Sequence, residues 1–218
     1  MNKGSFLGLI ATDRRMVNNN GSGSVVGFDT RYRFNDKYQV EFQSVFSHTQ
    51  EPNDSILVSS ATFGDNHTFT FDGESFSGNA VKIEFDRNTE HWRLEAGYDH
   101  KTPTFRAENG FESSNNSRRI YGQSVWIYHP DNFFTQVIGG FHTGVEHNFD
   151  GEQKAKYIVG FGNLSMPRQT RLQFQYVRRL QYRFKDTELN GTYDLRLNLN
   201  SQFSERYQFG ANIGRHVA

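Results

Sequence analysis

The chain has 218 residues, with 24 Lys plus Arg balanced by 24 Asp plus Glu, and it has no Cys. Balanced charge excludes the long-range field of a generic nucleic-acid binder, and the missing cysteines exclude disulfides and thiolate metal sites. Hydrophobic residues make up only 35 % of the chain, yet 15 % of all residues are aromatic, and Gly, Asn and Thr are interspersed among them. This mixture disfavours helical bundles and favours an all-β protein.

Strands are predicted along nearly the whole chain, because apolar residues alternate with polar or charged ones at a period of two. The clearest example is 193–200, where Tyr and Leu alternate with Asp, Arg and Asn. We count about eleven or twelve strands on this pattern. They are predicted at 6–13, 26–34, 38–46, 68–71, 81–86, 92–98, 120–128, 133–149, 154–164, 171–184, 193–200 and 207–217.

The predicted connections alternate between short turns and longer polar loops. Short turns of the Asn-Asp-Lys or Pro-Arg kind lie at 35–37, 88–90, 130–132, 150–152 and 167–168. Longer connections rich in Asn, Ser, Gly and acidic residues lie at 14–24, 49–75 and 102–117. This alternation is typical of a barrel with one periplasmic and one extracellular end, and we expect residues 1–218 to form a single barrel domain.

Two arrangements fit the alternation: a soluble barrel with its apolar face inside, or a membrane barrel with its apolar face in lipid. Segments 133–149 and 171–184 are longer than typical soluble strands and suit a tilted membrane strand. Aromatic residues end several apolar faces, as at an interfacial girdle: Tyr38, Phe46, Trp92, Tyr98, Trp126, Tyr128, Tyr182 and Phe184. Arg178, however, interrupts one apolar row. We expect a transmembrane, up-and-down antiparallel β-barrel of about 12 strands.

In this barrel the charged side chains face the lumen and the apolar side chains face lipid. The predicted lumen-lining residues are Arg31, Arg33, Glu41, Lys82, Glu84, Arg93, Glu95, Arg171, Arg179, Arg183 and Arg196. The predicted lipid-facing residues are Phe28, Tyr32, Val40, Phe42, Ile83, Leu94, Leu172, Phe174, Leu195 and Leu197. Acidic residues such as Glu41 and Glu84 are expected to form structural ion pairs with the abundant arginines.

Three segments are more distinctive than generic strands: 4–15 (GSFLGLIATDRR), 21–34 (GSGSVVGFDTRYRF) and 102–111 (TPTFRAENGF). They resemble stretches of an uncharacterised family of bacterial outer-membrane proteins. Proteins of that family join a carbohydrate-binding module of the family-nine type to a C-terminal barrel. The resemblance implies a β-barrel in the outer membrane of a Gram-negative-type bacterium, and this chain looks like the C-terminal part of such a protein. The sugar-binding module and earlier strands would lie outside it, and 213–218 lack the terminal aromatic of many outer-membrane barrels.

No motif in the sequence predicts an enzyme, a cofactor or a metal site. His142 and His147 are five residues apart, so a regular strand would place them on opposite faces. The tripeptide 66–68 (NHT) resembles the His-plus-hydroxyl pairing of membrane lipases but lies in a polar loop. Two polar loops have the composition to hold a divalent cation or a sugar, although an ordinary solvated loop is the favoured interpretation. They contain Asp65, His67, Asp72 and Glu74, and Glu108, Asn109, Phe111 and Glu112.

The sequence thus predicts an outer-membrane barrel that acts as a narrow channel or a membrane scaffold, linked to carbohydrate capture or uptake. Its expected partners are outer-membrane lipid and either a carbohydrate-binding domain or further barrel strands, but not nucleic acid. A soluble barrel that binds an apolar ligand is the alternative; it requires Phe28, Phe42, Leu195 and Leu197 inside and Arg31, Glu41 and Arg196 in water. An outer-membrane hydrolase working at His67 is a weaker alternative.

Overall fold

The computed structural model describes residues 4–17, 21–54, 56, 58–64, 66–107, 114–130, 133–184, 187–204 and 206–217, without the side chains of Phe184 and Phe203. In this part of the chain all regular structure is β-strand. No helix long and apolar enough to cross a membrane occurs among these residues.

The described residues form fourteen strands. In chain order they are β1 (Phe6–Arg15), β2 (Ser22–Phe34), β3 (Tyr38–Gln50), β4 (Thr62–Phe63), β5 (His67–Thr68), β6 (Ser75–Asn88), β7 (Trp92–Lys101), β8 (Ser117–Tyr128), β9 (Gln136–His147), β10 (Gln153–Met166), β11 (Thr170–Phe184), β12 (Thr187–Glu188), β13 (Thr192–Ser204) and β14 (Tyr207–Val217).

Twelve of these strands make one antiparallel sheet in the order β1-β2-β3-β6-β7-β8-β9-β10-β11-β13-β14, with the short β12 paired to β11. The remaining two, β4 and β5, form a small hairpin inside the connection from β3 to β6. Each long strand therefore lies beside the long strand that follows it in the chain. The predicted all-β, up-and-down antiparallel architecture is confirmed.

Several predicted strand limits differ from the observed ones. The loop predicted at 14–24 is shorter, because Arg14 pairs with Gly23 and Arg15 with Ser22 across β1 and β2. Strand β6 begins at Ser75 instead of residue 81, whereas β9 spans only Gln136–His147. Residues 69–71 belong to no strand, so the strand predicted at 68–71 is wrong. Backbone hydrogen bonds extend strands through small and polar residues, where the alternation of side chains gives no signal.

The connections differ in length at the two ends of the strands. Residues 35–37, 89–91 and 167–169 make short turns, while the connections 51–74 and 102–116 are long. In the turn after β2, Asn35 and Asp36 both have positive φ, 52° and 49°, a conformation that Asn and Asp tolerate better than other non-glycine residues. The two longest connections follow β3 and β7, and both leave from the same end of an up-and-down sheet.

The chain divides into two compact units. Unit 1 contains Met1–Phe85, Gly97–Arg119 and His147–Glu152, and unit 2 contains Asp86–Ala96, Ile120–Glu146 and Gln153–Ala218. Among the described residues the buried hydrophobic side chains are Phe76 and Phe105 in unit 1 and Ile127 in unit 2, whereas 28 large hydrophobic side chains are exposed. The described side chains of both units thus include few buried hydrophobic residues.

Candidate functional site

In unit 1 the register of β2 and β3 separates the predicted charged residues from the predicted apolar ones. Arg31 lies opposite Glu41, and Arg31 Nε donates to Glu41 Oε1 at 2.6 Å. Arg33 lies opposite Gln39 on the same face. The other face carries the predicted lipid-facing residues of these strands, namely Phe28, Tyr32, Val40 and Phe42. Since directly paired residues share a face, this division follows from the observed register.

On β6 and β7 the same alternation is seen along each strand. Lys82 and Glu84 share one face of β6, where their side chains form an ion pair at 2.9 Å, and Ile83 points to the other face. On β7, Leu94 stands between Arg93 and Glu95 and points away from them. Glu84, like Glu41, thus has a cationic partner, which is the arrangement expected of a structural ion pair.

In unit 2 the register of β11 and β13 gives a second two-faced surface. Phe174 lies opposite Leu197. Leu172 pairs with Leu199, and Leu195 pairs with Tyr176, so Leu172 and Leu195 lie on the same face as Phe174. Arg171, Arg179 and Arg196 lie on the opposite face, in positions paired with Asn200, Thr192 and Gln175. Arg178 lies opposite Tyr193 within the apolar row, as its sequence position predicts.

Arg183 is separated from this charged face by a bulge. Tyr157 of β10 pairs with Arg179 of β11, and Ala155 pairs with Tyr182. Two steps along β10 therefore correspond to three steps along β11, so β11 contains one extra residue at this point. The register therefore puts Tyr182 on the face of Arg179, where the Arg179 guanidinium lies 6.0 Å from the Tyr182 ring centroid. Arg183 falls on the other face and approaches Glu188 of β12 at 3.8 Å. A count of alternate residues misses this shift, because it assumes an unbroken strand.

A polar cluster lies at the base of the long connection 51–74 in unit 1. The backbone N–H of Glu51 donates to the Glu74 carbonyl at 2.9 Å, and that of Asp54 donates to the Phe71 carbonyl at 2.7 Å. Between them, Asn53 and Asp72 form an isolated antiparallel bridge. The connection thus starts and ends as an antiparallel pair that continues from β3 and β6, and this pairing brings Glu51, Asp72 and Glu74 together.

The three carboxylates of this acidic cluster differ in their hydrogen bonds. One ligand oxygen from each of Glu51, Asp72 and Glu74 lies within 4.8 Å of the others. Glu74 accepts from the Thr68 N–H at 2.7 Å and contacts His67 Nδ1 at 2.9 Å, while Asp72 accepts from the Glu74 N–H at 3.1 Å. Glu51 is only 7 % exposed, and its Oε2 has no hydrogen-bond partner among the described residues.

Burial is the main cause of the shifted pKa of Glu51. Desolvation, assisted by the charges of Glu74 and Asp72, raises the pKa of Glu51 to about 7, although Arg106 and His67 act in the opposite direction. Burial also acts to raise the pKa of Glu74, but hydrogen bonds from His67 and Thr68 outweigh it and hold this pKa below its usual value. At neutral pH Glu74 is therefore ionised, whereas ionising Glu51 costs free energy.

Aromatic rings pack around Arg106, a cation beside the cluster. The ring of Phe63 lies 4.7 Å from that of Phe69 and 5.3 Å from that of Phe76, between ring centroids. The guanidinium carbon of Arg106 lies 4.5 Å from the Phe63 centroid, a cation–π distance. The backbone N–H of Arg106 donates to Ser47 Oγ at 3.1 Å, which fixes this segment against β3.

A cavity of about 320 Å³ opens beside the cluster, within unit 1. Its lining includes Thr49, Glu51, Phe69, Phe71 and Arg106. Thr49 Oγ1, like Glu51 Oε2, is buried without a hydrogen-bond partner in the described structure. Buried polar atoms normally have partners, so these two atoms make this part of the cavity wall polar and unsatisfied by the described protein groups.

The hydrolase interpretation of His67 has an orienting acid but no hydroxyl nucleophile among the described residues. Glu74 orients Nδ1 of the His67 ring, as the acid of a catalytic triad would, and the ring lies 5.1 Å from that of Phe76 between centroids. No hydroxyl of the described residues, however, is hydrogen-bonded to the second ring nitrogen. Within the described part of the chain, the His67–Glu74 pair belongs to the acidic cluster.

Sequence reasoning identified part of this cluster. Of the first polar loop, the structure brings His67, Asp72 and Glu74 together, whereas Asp65 lies outside the described residues. The second loop's Glu108, Asn109, Phe111 and Glu112 lie outside them too. Glu51 and Arg106 were missed. No signal in the sequence identifies Glu51, because it meets Asp72 and Glu74 only through the backbone pairing of 51–54 with 71–74.

The described sheet and its two faces define an antiparallel, up-and-down all-β protein with an apolar surface and a charged surface. No family model matches the chain, and no curated protein or solved structure matches it either.

Proposed function

We propose that this chain is an outer-membrane β-barrel protein that acts as a narrow channel or as a membrane scaffold, linked to carbohydrate capture or uptake. The observation that carries the proposal is the exposed apolar face. In unit 1, Leu9, Val26 and Phe46 on this face are 77 %, 57 % and 59 % exposed. In unit 2, Leu197 and Ile213, which are paired, are 40 % and 70 % exposed.

A face of this kind is costly in water. Soluble proteins rarely expose contiguous apolar patches of more than a few hundred Å², whereas lipid-facing strands require them. The inner strands of the sheet also satisfy their backbones through ladder hydrogen bonds with a neighbour on each side, and the proposal further requires β1 and β14 to be paired, because open sheet edges do not occur in lipid. Both properties support a lipid environment for this face.

The charged face supports the lumen assignment. Arg31 pairs with Glu41 across strands, and Arg119 donates to Asp99 at 2.7 Å on β8 and β7. Paired long side chains fill space and leave little net charge on the face. A barrel of about twelve strands with such a lining has a narrow lumen, suited to small solutes or to a purely structural role.

The soluble alternative makes the opposite demand on the same residues. It requires Leu195 and Leu197 to be buried around an apolar ligand, but these side chains are 38 % and 40 % exposed. The apolar face therefore favours the membrane proposal over an apolar-ligand binder.

Neighbouring residues on opposite faces give a matched experimental test. The natural chain has no Cys, so Leu197→Cys and Asn198→Cys each give one site for an environment-sensitive fluorophore. In protein reconstituted into vesicles, brominated lipid is expected to quench the label at 197 strongly and the label at 198 weakly, because successive residues of a strand point to opposite faces. Equal quenching at both positions, or a protein that stays soluble and monomeric without detergent, would contradict the proposal.

Electrical conductance across a planar bilayer distinguishes a channel from a membrane scaffold. A channel is expected to give discrete current steps in planar bilayers, and Arg31→Ala with Glu41→Ala should enlarge them by removing side chains from the lumen. A reconstituted protein without such steps would act as a scaffold.

A further inference from the structure

The acidic cluster of unit 1 concentrates negative charge in a partly buried place. Glu51, Asp72 and Glu74 present oxygens within 4.8 Å of one another, and their backbones are fixed by the paired ends of the 51–74 connection. Like charges at this separation repel each other unless a cation lies between them. The cluster is therefore strained electrostatically by its own geometry.

The nearby cations offset this charge only in part. The Arg106 guanidinium packs on Phe63, with Phe69 and Phe76 at 5.7 and 5.8 Å from its carbon, and it forms no ion pair with the three carboxylates. His67 contacts only Glu74 of the three. With one guanidinium set against three carboxylates, the ionised cluster has a net charge of −2 when His67 is neutral.

Glu51 supplies the observation that distinguishes this cluster from an ordinary acidic loop. Its side chain is more than nine-tenths buried, it lines the cavity, and Oε2 accepts no hydrogen bond from any described residue. A buried carboxylate oxygen without a partner costs free energy unless a ligand contacts it. Its two acidic neighbours restrict that ligand to a cation.

We propose that Glu51, Asp72 and Glu74 bind a single divalent cation of the hard, oxygen-preferring class, namely calcium. All three ligand groups are carboxylates, which suit calcium and magnesium rather than the softer metals that prefer imidazole or thiolate. Calcium accepts six to eight oxygens in irregular geometry, whereas magnesium demands a near-ideal octahedron. Carboxylates from two paired chain segments form an irregular set, so calcium fits better.

A second acidic and imidazole group, Glu90, His91 and His129 in unit 2, does not support the same inference. All three of these residues are exposed, and Nδ1 of His91 already contacts the Ile127 carbonyl at 3.3 Å. The calcium site is thus specific to the cluster in unit 1. The calcium proposal does not depend on whether the apolar face lies in lipid.

The test measures calcium binding to the full-length folded chain after treatment with a chelator. Calorimetric titration with calcium chloride is expected to show one saturable site. Its Kd should be about 1 mM or lower, the weakest affinity typical of extracellular calcium modules. Glu51→Gln and Asp72→Asn keep side-chain shape but each remove a charge, and each should weaken binding at least about tenfold. Asp150→Asn removes an exposed charge from the turn between β9 and β10 and should leave binding unchanged.

A second measurement guards against misfolding of the variants. Calcium should slow proteolysis within 51–74 in the natural chain and in Asp150→Asn but not in Glu51→Gln, with sheet content equal by circular dichroism in all three. Absence of saturable binding up to about 10 mM calcium would overturn the proposal. So would binding that Glu51→Gln and Asp72→Asn both leave intact, or magnesium binding as tight as that of calcium.

Discussion

The buried carboxyl of Glu51 should make stability fall as the pH rises. In the folded chain its pKa is raised to about 7 from an ordinary value of 4.5. Below about pH 4.5 the group is protonated in both the folded and unfolded states and has no effect. Between these two values the unfolded chain releases the proton while the folded chain keeps it, so the folded state loses stability with rising pH.

The size of the effect follows from the shift. Each tenfold change in proton affinity corresponds to about 1.4 kcal/mol, so raising the pKa of Glu51 from 4.5 to about 7 costs the folded chain roughly 3 kcal/mol above pH 7. Glu51→Gln has nearly the same shape without the charge. We expect this variant to match the natural chain near pH 4 and to be more stable by up to about 3 kcal/mol near pH 9, with chelator present throughout.

Urea unfolding followed by the fluorescence of the two tryptophans measures this difference across the pH range. Asp150→Asn is the control, because its carboxyl is exposed and its replacement should give a small change at every pH. A stability difference for Glu51→Gln that does not grow between pH 4 and pH 9 would refute the assignment of a buried, unpartnered carboxyl. Loss of the difference on adding calcium is expected if the proposed ion neutralises Glu51.

Two further predictions concern packing and pairing. A methyl group at Gly78 would collide with the backbone of Phe105, so Gly78→Ala should destabilise the chain by about 1–3 kcal/mol in urea unfolding, whereas Gly160→Ala, which has open space, should cost much less. Equal costs would argue against the close approach. In a double-mutant cycle, Arg31→Met and Glu41→Gln should show a coupling of about 0.5–1 kcal/mol through their half-exposed ion pair, and additive effects would contradict it.

The two-faced strands were predictable from sequence because their information is local. Side chains alternate at a period of two, so Phe28 and Arg31 could be assigned to different faces without knowing their neighbours. The observed register then pairs Arg31 with Glu41 and Tyr32 with Val40, which keeps each face uniform across two strands. Assignment failed where the backbone departs from regularity, as at the bulge that separates Arg183 from Arg179.

The acidic cluster could be predicted only in part, because its information is not local. Asp72 and Glu74 are two residues apart and visible as an acidic pair, but Glu51 joins them only through backbone pairing across the connection. Arg106 comes from a different connection altogether, after β7. No spacing rule relates these positions, so their meeting depends on how two loops fold against the end of one sheet.

Burial in unit 1 explains why its chemistry gathers in the loops and not on the strands. No apolar side chain of β1–β3 is buried, whereas the buried hydrophobic residues, Phe76 and Phe105, lie where the 102–106 segment contacts the start of β6. Buried Glu51 directly follows the last residue of β3, at the end of the sheet where β6 begins. Strong electrostatic interactions require a place sheltered from water, and in unit 1 that place is this loop-covered end of the sheet. Perturbing Glu51 should therefore affect the loops, while changes to Leu9 or Phe46 should affect the environment that the strands occupy.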